Sequence, residues 1–279
     1  MMLPEFELIS AGDKSAALSL LARPEGAKVI AGGTDLLVRM RRGETWDRLL
    51  DVSGIAEMRT IAADESGVVI GGAVNHREVS SHSKVLEVAP ALACACSRVG
   101  SPQIRNMGTI GGNLVNASPA ADTLPPLLIH RASVTLESAR GVREVSLEDF
   151  IVSPYQTSIS ADELLCGVYL ESLKGYRMGY RRVAKRAALA ISRLSAAWAV
   201  REEKGVFLDV RLAIGSCTPM PFRARAAEEF LAGKDRSAAV IAEAVNMVLE
   251  GITSISGERS SYVYKLPVLR GMLENILRG

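Results

Sequence analysis

Short apolar runs alternate with helical patterns over the first fifty residues. The apolar runs predict strands at residues 6–9, 28–31 and 48–52. Asp13 can cap a first helix, whose apolar face is formed by Ala17, Leu20 and Leu21. A second short helix ends near Gly43 and has an apolar face formed by Leu36, Leu37 and Met40. The order of these patterns predicts a small β-α-β-α-β unit.

A second unit is predicted to follow, with a long loop near its middle. The loop spans residues 100–119 and is rich in Gly, Asn and Ser. Pro125 and Pro126 suit the first turn of a helix over 123–129. The other predicted elements are a strand at 68–70, a helix over 85–99, a hairpin of 133–138 with 142–145, and a strand at 164–170.

The last hundred residues have a different pattern. Residues 194–200 and 206–214 alternate between apolar and polar or small side chains, which predicts an antiparallel hairpin with one buried face. Helical patterns follow at 224–231, at 238–249 and near the C-terminus. We therefore predict the α+β class, with residues 1–173 as one domain (subdomains of about 1–55 and 56–173) and residues 174–279 as a small α+β domain.

Composition and charge exclude several classes of function. The chain has 279 residues, and 33 Lys and Arg are balanced by 31 Asp and Glu, so neither a nucleic-acid binder nor a polybasic membrane binder is expected. The N-terminus lacks a basic, apolar leader, and the longest uncharged stretch, 106–121, is too polar to span a membrane. We predict no metal site, because only Cys94 and Cys96 of the four cysteines are close, in a C-x-C spacing, and the three histidines lie apart. We expect a cytoplasmic protein.

Two glycine-containing loops carry the most informative chemistry. They are residues 31–35 (Ala-Gly-Gly-Thr-Asp) and 108–113 (Gly-Thr-Ile-Gly-Gly-Asn). Glycine allows a ligand to approach the backbone, and successive N–H groups can bind phosphate oxygens. Each glycine pair alone is more often a structural turn, and neither loop is a P-loop or a nicotinamide fingerprint. Together they are consistent with a diphosphate cofactor.

Basic residues form two clusters whose simplest interpretation is a solvated surface. One is the run 39–42, and the other comprises Arg181, Arg182, Lys185 and Arg186. The first cluster could instead attract phosphate groups, and the second could lie near a flavin pyrimidine or attract a nicotinamide dinucleotide. The chain contains no Gly-x-Ser-x-Gly motif, so we predict no catalytic hydrolase residue.

The two glycine loops, extended to 28–35 and 102–113, resemble those of a known family, as does the segment 117–122 (Ala-Ser-Pro-Ala-Ala-Asp). The family comprises the FAD-binding medium subunits of molybdenum hydroxylases of the xanthine dehydrogenase and carbon monoxide dehydrogenase type. The resemblance covers nearly the whole chain. It implies a two-subdomain FAD-binding fold of the vanillyl-alcohol oxidase type, followed by a small domain with an antiparallel sheet and three helices.

The resemblance also implies which residues contact the cofactor. Asp122 matches a position on the flavin side, Leu164 an apolar position near the ring system, and Arg193 a position that holds lysine in some relatives. Within the run 186–193, Ala190 replaces the usual acid, which changes the charge near the flavin. The implied contacts with the diphosphate are Lys28, Val29, Ile30, Ala31, Gly32, Gly33, Thr34, Asp35, Thr109, Ile110, Gly111, Gly112 and Asn113.

By this resemblance the chain is an electron-transfer subunit with FAD as its cofactor. A large subunit with a molybdenum cofactor and a small subunit with two [2Fe-2S] clusters would be its partners, and NAD or another molecule would accept the electrons. Two alternatives remain open: a stand-alone FAD-dependent oxidoreductase on the same fold, and a module that binds a nucleotide or anion without redox chemistry.

Overall fold

The first unit of the fold is a three-stranded parallel sheet with two helices. The computed structural model describes residues 3–186 and 190–279. The elements of this unit are β1 (Glu7–Ser10), α1 (Lys14–Leu21), β2 (Lys28–Ile30), α2 (Leu36–Arg41) and β3 (Arg48–Asp51). The strand order is β1-β3-β2, and the Asp13 side chain caps α1 by accepting a hydrogen bond from the Ala16 N–H. The predicted β-α-β-α-β unit is confirmed.

The second unit contains a five-stranded antiparallel sheet covered by short helices. Its elements are β4 (Ile61–Ala63), β5 (Gly67–Gly71), α3 (His76–Ser81), α4 (Ser83–Val88), α5 (Pro90–Cys96), α6 (Pro102–Met107), α7 (Ile110–Asn116), α8 (Leu124–Ile129), β6 (Ser133–Ser138), β7 (Gly141–Ser146), α9 (Leu147–Phe150), β8 (Ile151–Ser153), β9 (Gln156–Thr157) and β10 (Leu164–Glu171). The sheet order is β4-β5-β10-β6-β7, and β8 pairs only with β9 among the described strands.

The third unit is a four-stranded antiparallel sheet followed by three helices. Its elements are β11 (Arg177–Ala184), β12 (Ser192–Glu203), β13 (Val206–Gly215), β14 (Phe222–Arg223), α10 (Arg225–Leu231), α11 (Ala238–Ser256) and α12 (Tyr262–Arg278). Its sheet follows the order of the chain. The predicted hairpin, the three helices and the α+β class are confirmed, whereas β11, which holds part of the second basic cluster, was not predicted.

The single helix predicted over residues 85–99 is wrong, because the chain breaks at Ala89. Helix α4 ends at Val88, Ala89 is not helical (φ −135°, ψ 57°), and Pro90 starts α5. Proline disfavours helical backbone in the preceding residue and suits a first helical position, where its missing N–H is not needed. Two short helices therefore replace one long one.

The prediction of one long loop over residues 100–119 is also wrong, because this segment contains α6 and α7. The Ser101 hydroxyl accepts a hydrogen bond from the Ile104 N–H, and the Thr109 hydroxyl accepts one from the Gly112 N–H. Each cap satisfies an N–H group at a helix start, which offsets the low helix propensity of Gly and Asn. The C-terminal end of α7 is closed by Ala117 in a left-handed conformation (φ 45°).

The hairpin of β12 and β13 is buried on both faces, not on one as predicted. Large side chains such as Trp198 and Phe207 lie in a core with α10, α11 and α12. On the opposite face, Ala197, Ala199 and Ala213 lie in the core of the second unit, near α8. Alanine can be buried against a helix or exposed to water, so alternation with small residues does not distinguish the two environments.

Helix α11 is long and apolar enough to cross a membrane by length and composition alone, with a mean hydropathy of 1.5. In the folded chain one of its faces belongs to the core of the third unit. The buried residues of this face are Ile241, Ala244, Val245, Val248, Leu249 and Ile252. Their spacing of three or four residues is that of an amphipathic helix with one buried face.

Candidate functional site

A cleft of about 1020 Å³ lies between the first unit and the second unit. Strand β2 and the loop that follows it line one side, and residues of α7 and β10 line the other. Its volume is at the upper end of the range for ligand sites. The predicted site residues in its wall are Lys28, Val29, Ile30, Ala31, Gly32, Gly33, Thr34, Asp35, Thr109, Gly111, Gly112, Asn113 and Leu164.

The first glycine loop has unused backbone donors. Within the described chain, the N–H groups of residues 32–35 donate to no other residue. Gly33 has a φ of +66°, a left-handed conformation that glycine adopts without a steric penalty. The Thr34 hydroxyl likewise has no partner among the described residues. Consecutive free N–H groups beside an open cleft suit the oxygens of an anionic group.

The two glycine loops touch each other through their backbones. A Cβ atom on Gly32 would lie 1.8 Å from the carbonyl oxygen of Met107, so only glycine fits there. Gly108 lies against the Thr34 hydroxyl and the His76 ring, and the His76 N–H donates to its carbonyl at 2.9 Å. Close packing of the loops holds both on the same cleft.

The second glycine loop uses most of its N–H groups inside the protein. Ile110 and Gly111 donate to the carbonyls of Val74 and Gly72, both at 2.9 Å. The N–H groups of Gly112 and Asn113 donate to the Thr109 side chain and carbonyl, respectively. The two loops are therefore not equivalent. The first loop has free N–H donors, whereas the second loop mainly provides glycine backbone that a ligand can approach closely.

Gly112 is the point where this bare surface faces the cleft. A Cβ atom there would meet only the Thr109 hydroxyl, at 3.0 Å, whereas one on Gly111 would lie 2.5 Å from the Gly72 carbonyl oxygen. Asn113 follows, and its side-chain oxygen accepts a hydrogen bond from the Thr123 hydroxyl, which leaves the amide NH₂ as a donor. A diphosphate fits this arrangement, with N–H donors on one side and space on the other.

Three predicted site residues do not line the cleft in the described part of the chain. Ile110 is fully buried in the core behind the second loop. Arg193 is exposed on β12. Asp122 is buried in a separate polar cluster. The resemblance also predicts that the run 186–193 influences the flavin environment, and residues 187–189 of that run lie outside the described residues.

The cluster around Asp122 joins the second unit to the third. The Asp122 carboxylate accepts hydrogen bonds from the Tyr180 hydroxyl, the Arg182 guanidinium and the Ser192 hydroxyl, each at 2.5 Å. Side chains of Asp122 and Arg182 are only 8% and 5% exposed. Burial and the negative charge of Asp122 raise the pKa of Tyr180 far above its usual value, so its hydroxyl keeps its proton.

Sequence reasoning did not single out three residues of the cleft wall: Trp46, Tyr155 and Glu163. Glu163 is bound by the Arg143 guanidinium at 2.6 Å, and this hydrogen bond lowers the pKa of the carboxyl to about 2. Each of the three is isolated in the sequence, with no motif around it. Only tertiary packing brings them to the cleft.

His76 is a buried histidine in the cleft wall and is neutral at physiological pH. It is 2% exposed, and its Nδ1 atom has no hydrogen-bond partner among the described residues. Burial, with a smaller contribution from the charge of Arg105, lowers the pKa of His76 to about 4. Its ring adds no positive charge to the cleft at pH 7.

We expect the His76→Phe substitution to weaken the pH dependence of stability. An unfolded histidine binds a proton below its ordinary pKa of 6.5, but folded His76 does so only near pH 4, so protonation destabilises the fold as pH falls between these values. Removal of this group should reduce the loss of unfolding free energy between pH 6.5 and 4 by about 2–3 kcal/mol. Denaturant unfolding at several pH values measures it.

A residual pH dependence is expected in that variant, because His130 is also buried and has its pKa lowered to about 4. An unchanged dependence in His76→Phe would contradict the assignment of a neutral, buried imidazole at position 76.

Comparison with known proteins gives matches over almost all of the chain. The family model described as the FAD binding domain in molybdopterin dehydrogenase matches residues 4–170. The model described as the CO dehydrogenase flavoprotein C-terminal domain matches residues 179–279. The two matches together leave only a short segment between them and a few N-terminal residues.

Individual relatives agree with these models. The xanthine dehydrogenase FAD-binding subunit of Escherichia coli O157:H7 is 31% identical over 265 residues, which is 94% of this chain and 91% of that protein. The glyceraldehyde dehydrogenase medium chain of Sulfolobus acidocaldarius is 31% identical over 271 residues, with 96% and 95% coverage. A chain of carbon monoxide dehydrogenase from Hydrogenophaga pseudoflava superposes with a TM-score of 0.88 at 26% identity, and the match covers 100% of this chain and 96% of that one.

Proposed function

Because the chain belongs to the FAD-binding subunits of the xanthine dehydrogenase and carbon monoxide dehydrogenase type of molybdenum hydroxylases, we propose that it transfers electrons from [2Fe-2S] clusters to NAD or another acceptor. Its cofactor is FAD, and it is a subunit of an oxidoreductase. When bound, FAD supplies a carrier that accepts and releases electrons singly or in pairs.

The observation that carries the proposal is the asymmetry of the two loops. The first loop presents the free N–H groups of residues 32–35, and the second presents Gly112 without a side chain. The diphosphate of FAD carries negative charge, so the N–H groups of the first loop bind it. Gly112 allows it to come close to the backbone of α7, and the Asn113 amide donates from the same side.

The remaining residues of the cleft orient the two ends of the cofactor. Leu164, at the start of β10, provides an apolar wall for the ring system. Asp122 acts through its contacts with Arg182 of β11 and Ser192 at the start of β12, which fix both strands relative to the second unit. We assign Arg193 to the flavin side as well, on the basis of its position one residue after Ser192.

The proposal assigns no general acid or base to this chain. Among the described residues of the cleft wall, His76 is buried and neutral, and Glu163 is held by Arg143. In this proposal the chain binds and orients the cofactor, and the substrate is bound by another subunit. We take residues 1–173 as the FAD-binding domain and 174–279 as the second domain, a division supported by the two family matches.

The proposed partners are a large subunit with a molybdenum cofactor and a small subunit with [2Fe-2S] clusters. This is supported by relatives named as a FAD-binding subunit and as a medium chain. We also propose a cytoplasmic location, supported by four cysteines that are all free thiols.

Isolation of the native complex tests the proposal. We expect the chain to copurify with two other subunits, with FAD, molybdenum and iron in constant ratio, and to reduce NAD⁺ or an artificial acceptor when substrate is added. Iron and molybdenum should remain bound when FAD is removed, while electron transfer to the acceptor is lost. A yellow, monomeric and active protein without metal would instead favour the stand-alone FAD-dependent oxidoreductase.

A further inference from the structure

An aromatic and cationic cluster lies on the first-unit side of the cleft. The Arg39 guanidinium is 5.3 Å from the centre of the Trp46 ring, and the Lys28 ammonium is 5.8 Å from it. Glu44 binds Arg39 through two hydrogen bonds, which fix the position of the guanidinium. Trp46, Arg39 and Lys28 all line the cleft, whereas Glu44 does not.

This cluster lies away from the phosphate-binding part of the first loop. Lys28 starts β2, and Gly33 follows five residues later. With a rise of about 3.3 Å per strand residue, three strand residues already separate Lys28 from the loop by roughly 10 Å. The apolar side chains of Val115, Ile159 and Leu164 belong to the second unit, across the cleft. The two walls therefore differ in both position and chemistry.

The Lys28 ammonium is held weakly at the Trp46 ring. Its distance of 5.8 Å is near the limit for a cation–π contact. Burial, together with repulsion by Arg39, lowers the pKa of Lys28, so the charged form is destabilised where it lies. A flat ligand can displace the ammonium from the ring, and the ammonium can then pair with a phosphate.

We propose that Trp46 and Arg39 form the binding site for the adenine base of FAD, with Lys28 released toward the adjacent phosphate. A purine stacks on an indole or a guanidinium, and neither contact depends on a specific base edge. The larger flavin ring then packs against the apolar wall near Leu164, on the other side of the diphosphate. This inference rests on the proposed FAD function. It assigns to Trp46 and Arg39 the preference for a flavin that carries an adenine nucleotide.

Trp46→Ala should weaken binding of both FAD and ADP by the same factor. Loss of one stacking contact costs about 1–3 kcal/mol, which corresponds to roughly a 5- to 150-fold weaker affinity. Inorganic pyrophosphate has no base, so its affinity should not fall, and it can rise because Trp46→Ala also frees the Lys28 ammonium from the ring. Trp46→Phe keeps an aromatic ring and should retain most of the affinity. Tyr264→Ala removes a half-exposed ring from α12 and serves as the matched control.

Fluorescence of the full-length apoprotein provides a direct second measurement. The chain has two tryptophans, and Trp198 lies in the core of the third unit. ADP, which does not absorb in the emission range, should change the emission of Trp46, and the change should disappear in Trp46→Phe. Two results would overturn the adenine site without contradicting FAD binding. One is an unchanged emission when ADP is added to the wild-type chain, and the other is a loss of pyrophosphate affinity in Trp46→Ala as large as the loss of ADP affinity. If the wild-type chain failed to bind FAD, the proposed function itself would fail.

Discussion

A Gly112→Val chain should fold, with a small displacement of the Thr109 hydroxyl, and lose nearly all of its FAD. A Cβ atom at this position meets only the Thr109 hydroxyl, at 3.0 Å, and otherwise projects into the cleft. Valine is tolerated in a helix at least as well as glycine, so α7 should persist. Since the side chain fills space that we assign to the diphosphate, affinity should fall at least roughly 100-fold, a loss of about 2.7 kcal/mol. Flavin absorbance per purified chain measures it.

The matched control is Gly251→Val in α11, where a Cβ atom meets nothing within 4 Å. It introduces the same side chain outside the cleft and should leave FAD content unchanged. Gly33→Val should also lose FAD, but its left-handed φ of +66° adds a folding cost, so it is the less specific variant. Normal FAD content in a folded Gly112→Val chain would show that the diphosphate does not bind against the second loop.

Arg182→Met should lower the free energy of unfolding by roughly 3–5 kcal/mol, because it leaves the buried Asp122 carboxylate without its cation. Tyr180 and Ser192 still donate hydrogen bonds to the carboxylate, but they carry no charge. Addition of Asp122→Asn to this variant removes the unpaired charge, and we expect the double variant to recover much of the loss. Denaturant unfolding of both variants measures these differences.

The control for this pair is Arg140→Met. Arg140 binds Asp162 at 2.7 Å, but its side chain is 68% exposed, so its removal should cost less than about 1 kcal/mol. Equal effects of Arg182→Met and Arg140→Met would show that the Asp122 cluster does not hold the second and third units together.

The elements with periodic sequences were predictable, because the spacing of their apolar residues shows which side chains are buried. The first unit and the hairpin of β12 and β13 follow this rule. The elements that were mispredicted depend on single residues. Pro90 divides a helix, and the caps by Ser101 and Thr109 turn a loop rich in Gly and Asn into two helices.

The candidate site was predictable only as two loops, and their different roles were not. Whether an N–H group is free depends on acceptors far along the chain: Gly72 and Val74 accept from the second loop, and no described residue accepts from residues 32–35. Trp46 likewise reaches the cleft through tertiary packing, since nothing in its sequence neighbourhood marks it. Whether a loop N–H group is free, and which side chains line the cleft, are decided only when the chain folds.

The most direct test of the account is a crystal structure of the chain with FAD bound. We predict a diphosphate whose oxygens lie about 2.7–3.2 Å from N–H groups within residues 32–35, packed against the bare backbone at Gly112. An FAD molecule bound elsewhere, with both loops facing only water, would contradict it.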